Sequence, residues 1–217
     1  MSKLLCLLAG TAVVAHAPAV AQDQPALASF TGPEVAAGML AHGTRKPFRS
    51  APPPGFALFA GEEERGTADL HFLVRSAPLD GGLKPRLTAR LQISTAGKTS
   101  FASVGAEWRQ HLFGGRVYGQ TGIGVAVHDG YRFTPDPFAP GLSAQEALRR
   151  FELDLTRTSF GSRVLFNPSL SIGLRLNNRW AIEAAFEHFS HAGLFSDQNP
   201  GINHFGFRLV NGFGQSR

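Results

Sequence analysis

From position 68 to position 213 the chain alternates apolar and polar side chains with a period of two. Positions 68–76 place Leu70, Phe72 and Val74 on one face and Asp69, His71 and Arg75 on the other. Positions 85–95 set Leu87, Ala89, Leu91 and Ile93 against Arg86, Thr88, Arg90 and Gln92. In 99–113, Val104, Ala106, Trp108 and Leu112 oppose Ser103, Gly105, Glu107, Arg109 and His111. The pattern continues through 116–129, 163–176, 179–190 and 203–213, where Phe205, Phe207 and Leu209 oppose His204, Gly206 and Arg208. A period of two belongs to strands and not to helices, so these seven segments predict seven strands. An eighth is expected near 56–62, which makes the count even and lets an antiparallel sheet close.

Two features select a membrane barrel over a soluble sandwich. The apolar face runs on through several segments of about ten residues, the length a tilted strand needs to cross a bilayer. The opposite face carries Arg, Glu, Asp, Gln and His, which can pair inside a narrow lumen but are costly in a sandwich core. Connection lengths agree with this. Gly114-Gly115 and Asn177-Asn178 mark tight turns, whereas 130–161 is a long irregular segment holding Pro135, Pro137 and Pro140. Counted alternately, the tight turns fall at one end and the long loop at the other, as in outer-membrane barrels. The expected fold is all-β, an eight-stranded antiparallel transmembrane β-barrel over 56–217. A soluble lipocalin-like barrel is the alternative; it needs the apolar residues inside and the charges outside.

The N-terminal region reads differently. Lys3, an apolar run over 4–14 and Ala19-Val20-Ala21 have the form of a secretory signal peptide over 1–21. Cys6, the only cysteine, lies within that run, so the mature chain has neither disulfide nor thiol nucleophile. Residues 22–55, rich in Ala, Pro and Gly, read as a low-specificity extension, with a short helix or an early strand around 33–41. The net charge of +5 becomes +4 when Lys3 leaves with the leader. No concentrated basic run is present, which argues against nucleic acid. Anionic lipid headgroups of the outer membrane are the more natural partners, with self-association as a homodimer. The expected location is the outer membrane of a Gram-negative bacterium.

Candidate chemistry concentrates near the C-terminus. At strand period, His188 and Ser190 share the apolar face of 179–190 with Trp180, Ile182, Ala184 and Phe186. With the last strand ending in the periplasm, 179–190 runs outward and leaves both residues at the external end, facing lipid. The next strand starts at the same level with Asn203 on its apolar face. Two positions along a strand separate Cα atoms by roughly 6.5 Å, a gap that an imidazole and a hydroxyl can close. Histidine activates serine by taking its proton, and works best when a third group holds its other ring nitrogen. Asn203 is placed to supply that contact. The bland alternative is a set of interfacial polar residues.

The run His188-Phe189-Ser190-His191-Ala192-Gly193, followed by Asn199-Pro200-Gly201, resembles the C-terminal signature of the PagL-type lipid A 3-O-deacylases, whose pattern is His-x-Ser-Asn-Ala and then Asn-Pro-Gly. Gly161-Ser162-Arg163-Val164-Leu165-Phe166 is similar to the strand that precedes that signature. The resemblance spans 68–213 and is strongest after 161. It implies an eight-stranded outer-membrane barrel that hydrolyses the ester-linked acyl chain at position 3 of lipid A, without a cofactor. It further implies Ser190 as nucleophile, His188 as general base, and the Asn199 region, beside His191, supporting the oxyanion. The sequence departs from the pattern twice. Asn203 stands where the family carries a glutamate that orients the histidine, and His191 replaces the asparagine after the serine. An amide can hold an imidazole but cannot offset its charge, so reduced activity is expected. The competing reading is a catalytically impaired or non-enzymatic barrel with a structural role. Asp197 is a possible stand-in acid, whereas Glu187 points to the lumen.

Other polar groups carry less. Glu62-Glu63-Glu64 reads as a solvated charge run, and Ser143 to Arg150 as a short capped helix or turn in a solvated loop. His71 and His128-Asp129 lack companions at metal-ligand spacing, so no metal site is expected. His204 faces the lumen and reads as a structural pairing residue.

Overall fold

The computed structural model describes residues 31–43, 63, 67–197 and 199–213. They form a closed antiparallel barrel from β1 (Glu34–Ala41), β2 (Ala68–Arg75), β3 (Arg86–Ser94), β4 (Phe101–Leu112), β5 (Val117–His128), β6 (Val164–Phe166), β7 (Ser169–Arg175), β8 (Trp180–Phe189) and β9 (Ile202–Gly212). Apart from β6 and β7, which do not pair with each other, each strand pairs with its chain neighbours, and β1 closes the ring by pairing with both β2 and β9. β6 and β7 both pair with β5 and act as one barrel strand, broken at Asn167-Pro168. The barrel therefore has eight strands. Among the described residues one α-helix, α1 (Ala144–Thr156), sits in the β5–β6 connection, where the Ser143 hydroxyl accepts the Glu146 N–H as an N-cap. No described helix is long and apolar enough to cross a membrane; the crossing elements are strands.

The first strand corrects the expected barrel boundary. β1 lies at Glu34–Ala41, within the stretch read as an extension, and takes the strand alternative for 33–41. It was obscured because Gly38 and the alanines give it little apolar amplitude. The eighth strand expected near 56–62 lies outside the described residues, as does the proposed leader.

The faces follow the alternation. Outward-pointing Phe72, Leu87, Val104, Val125, Ile172, Phe207 and their neighbours leave 39 to 64 % of their surface exposed in the free chain. So wide an apolar belt is untenable in water and normal against acyl chains. Inside, the charges are paired. Arg75 reaches Glu34 at 3.1 Å, Glu107 at 2.5 Å and Glu183 at 2.9 Å. Arg90 holds Glu107 at 2.6 Å, and Arg208 holds Glu183 at 2.5 Å. Buried this deeply, each charge depends on its partners, and removing one leaves the others uncompensated. Apolar side chains gather in two interior clusters. Ala36, Leu73, Tyr118, Ala181 and Val210 form one, and Phe101, Ala126, Phe160, Leu165, Phe189 and Ile202 fill the end of the lumen that carries the long loops.

β1 ends and β2 starts at that same end, where the 129–163 and 190–201 connections also lie, and the tight turns 113–116 and 176–179 lie at the other. The loop end is tied together by Glu63. Far from being solvated, Glu63 is buried against His42 Nε2 at 2.6 Å, accepts the Thr99 hydroxyl at 2.6 Å and meets Arg157 at 3.2 Å. Burial opposes the charge on His42, yet hydrogen bonds to Asp69 and Glu63 raise its pKa to about 9. Burial likewise opposes the Glu63 carboxylate, and bonds from His42 and Thr99 hold it down at about 2.

Candidate active site

His188 is the next-to-last residue of β8, one position past the end of the β7 ladder and one before the last β8–β9 pair. Along β8, Ala181, Glu183, Ala185, Glu187 and Phe189 point inward, so His188 faces outward with Trp180, Ile182, Ala184 and Phe186. The register of β8 with β9 sets His188 opposite Asn203. Beyond β8, Ser190 forms an isolated bridge with Phe166: each backbone N–H donates to the other carbonyl, at 2.7 and 3.1 Å. The nucleophile candidate is thus clamped at the rim of the sheet and does not ride free on a loop.

The Asn167-Pro168 break lies directly across from His188. Pro168 has no N–H to give, and its carbonyl accepts the His188 N–H at 3.0 Å. The His188 carbonyl instead receives the Asn167 side-chain amide at 3.3 Å. The same amide group donates to Glu187 at 2.9 Å, and its oxygen accepts from Arg90 at 3.2 Å and Ser103 at 3.1 Å. Asn167 therefore joins the buried charge network to the backbone of the reactive strand.

On the outer surface the three predicted residues meet. The Ser190 hydroxyl lies 2.9 Å from His188 Nε2, in place to donate its proton, and His188 Nδ1 lies 2.6 Å from Asn203 Oδ1. This is the base–orienter arrangement that activates a serine. Although Asn203 belongs to the outward register, only 4 % of it is exposed. His188 and Ser190 are half-buried. Asp197 is exposed, and the Nδ1 side of His188 is taken by Asn203, so the stand-in acid is not brought to the site.

The 190–201 connection frames the serine. His191 N–H donates to Asn199 Oδ1 at 3.0 Å, which pins the chain just after the nucleophile. The His191 ring is fully buried beside Phe195, with Phe195 N–H at 3.4 Å from its Nδ1, so it supports the loop from within. Ala192 and Gly193 then take consecutive left-handed conformations, with φ of 53° and 73°. Gly201 returns the chain at φ 62°, and a Cβ there would lie 2.9 Å from His188 Cε1 and 3.2 Å from Ser190 Cβ. Only glycine satisfies both the backbone and the gap.

Sequence reasoning named the three residues that the structure brings into contact and missed Asn167. Its signal was present as an Asn-Pro inside an otherwise regular strand, a place where the ladder must lose a donor. Nothing local shows which backbone group its side chain replaces.

A family model described as Lipid A 3-O-deacylase (PagL) matches residues 74–210, more than half of the chain and inclusive of every triad member. The chain belongs to the lipid A 3-O-deacylase (PagL) family. The barrel is also similar to the crystal structure of the outer membrane enzyme PagL, with a TM-score of 0.53 and 15% identity over 82% of this chain and 97% of that one. Neisserial surface protein A gives a TM-score of 0.45 at 8% identity, covering 83% and 96% of the two chains. Ail of Yersinia pestis in a phospholipid nanodisc gives 0.42 at 10%, covering 83% and 99%. No curated protein matches the sequence. Family membership supports an outer-membrane barrel with a role in deacylating lipid A.

Proposed function

We propose that this chain is an outer-membrane serine esterase that removes the ester-linked 3-O-acyl chain of lipid A. The observation that carries the reading is His188 joined to Ser190 at 2.9 Å and to Asn203 at 2.6 Å on the lipid-facing wall of a PagL-family barrel. A soluble ester has little access to that wall. An ester at the interface of the outer leaflet meets it directly.

In this reading Ser190 Oγ attacks the ester carbonyl as its proton passes to His188 Nε2. The tetrahedral intermediate collapses to a seryl ester, and the proton moves on to the departing sugar oxygen, releasing the alcohol. Water then attacks the seryl ester while His188 takes its proton. The fatty acid leaves and Ser190 is regenerated, so one water is consumed for each ester cleaved. Asn203 accepts the Nδ1–H, which leaves Nε2 with the lone pair the base needs. Asn199 holds the backbone after Ser190, where the 192–193 turn offers N–H groups to the developing oxyanion. Exposed Leu194 and Phe195, in the connection that follows the serine, add apolar surface suited to an acyl chain. Asn203 leaves the imidazolium unneutralised, so turnover is below that of an otherwise identical site bearing an acid.

The test is the mass of lipid A from cells expressing the wild type or Ser190→Ala. Loss of one hydroxyacyl chain only with the wild type is expected. Identical spectra from two folded proteins would sink the proposal and favour a non-enzymatic barrel.

A further inference from the structure

Directly behind the reactive wall the lumen holds a second cluster, separate from the triad. His42 follows β1, Asp69 opens β2, and His204 is the inward neighbour of Asn203 in β9. All three are buried, with 0 to 1 % exposure. One ligand atom from each forms a triangle. His42 Nδ1 lies 2.9 Å from Asp69 Oδ2 and 3.3 Å from His204 Nε2, and His204 Nε2 lies 3.4 Å from Asp69 Oδ2. Atoms bound at about 2.0–2.2 Å to a four- or six-coordinate ion stand roughly 2.9–3.5 Å apart. The triangle has those edges. The two longer edges, a nitrogen–nitrogen and a nitrogen–oxygen separation to His204, lie beyond the usual hydrogen-bond range of about 2.7–3.2 Å, so hydrogen bonding accounts best for the His42–Asp69 edge.

We propose that His42 Nδ1, Asp69 and His204 Nε2 bind a divalent transition-metal ion of the zinc class in the mouth of the barrel. Two imidazoles and one carboxylate suit zinc, whereas calcium and magnesium take oxygen ligands. The supporting shell is in place. Glu63 holds the other nitrogen of His42 at 2.6 Å, the carboxylate–histidine–metal arrangement that fixes a ligand ring, and Gln92 donates to Asp69 at 2.6 Å. Binding displaces the proton between His42 and Asp69, and a water completes the coordination. The ion ties the segment after β1 and the start of β2 to β9, across the seam where the first and last strands close the barrel. Its role is structural: it braces the end of β9 that presents Asn203 on the opposite face.

The experiment uses the full mature chain without an affinity tag, folded in detergent, stripped with EDTA and titrated with ZnCl2 by calorimetry. One ion per chain is expected, with affinity tighter than micromolar, weakened at least 100-fold in His204→Gln and in Asp69→Asn. His111→Gln, at the far end of the lumen, keeps wild-type affinity. The thermal unfolding midpoint rises with zinc in the wild type and stays put in His204→Gln. Binding that His204→Gln leaves unchanged overturns the site. Should the variants not fold, the wild type alone decides by Co2+ titration. Visible d–d bands saturating at one equivalent support the site, and their absence shows that the cluster is a hydrogen-bonded ion pair only.

Discussion

Replacing Asn203 by aspartate should accelerate deacylation. The two side chains are nearly isosteric, so the 2.6 Å contact with His188 Nδ1 survives while its acceptor gains a charge. In the transition state His188 is becoming an imidazolium. Opposite charges about 4 Å apart are worth about 4 kcal/mol at an effective dielectric of about 20, a ceiling near 10³ in rate. Desolvating a carboxylate at a position only 4 % exposed subtracts from that ceiling. A charge-assisted hydrogen bond exceeds a neutral one by about 1 to 1.5 kcal/mol, so a gain of about 5- to 13-fold in kcat is expected. Asn203→Glu, which restores the acid of the family pattern, is expected to gain as well. The pH profile is the second readout. A carboxylate favours protonated His188, so the pH above which the neutral base is available moves upward in both variants. Deacylation of purified lipopolysaccharide in mixed micelles, followed by mass spectrometry across pH, measures both quantities. Unchanged kcat and an unmoved acid limb, in variants that fold, would refute the orienting role of Asn203.

Three further outcomes follow from named contacts. Gly201→Ala pushes a methyl against His188 Cε1 at a backbone φ of 62°, so activity should fall by about 10- to 100-fold with the barrel still folded by circular dichroism. Asn167→Ala removes the amide that serves Glu187, Arg90, Ser103 and the His188 carbonyl, and should destabilise the barrel by about 2–4 kcal/mol in urea titrations while lowering kcat. Ile172→Arg puts a charge on the outward belt and should cost about 2–4 kcal/mol of stability in bilayers near the midplane. A neutral effect there would contradict the membrane-facing assignment.

Most of the barrel was legible because a strand displays its faces in sequence. Leu70, Phe72 and Val74 against Asp69, His71 and Arg75 are sorted by a period of two whatever the neighbouring strands do. β1 was not, since Ala36, Ala37 and Gly38 alternate too weakly to announce a face. Of the site, His188 and Ser190 were readable because they stand two positions apart in one alternating segment, with Ser190 one residue past the end of β8. Asn203 followed from the strand after it, once the loop between was taken to return at the same level.

Sequence alone determined the identity of the outward face and the candidate base and nucleophile, because each rests on spacing within one segment. Tertiary structure decided what depends on register between segments. Glu63 looked like a member of a solvated run and proved to be the buried partner of His42, because burial is set by the loops that fold over it. Asn167 gained its role from standing across the sheet from a carbonyl that Pro168 cannot serve. His42, Asp69 and His204 lie 27 residues and then 135 residues apart in the chain, and no local spacing relates them. Closing the first strand against the last brings them to one point, and only a closed ring can do so.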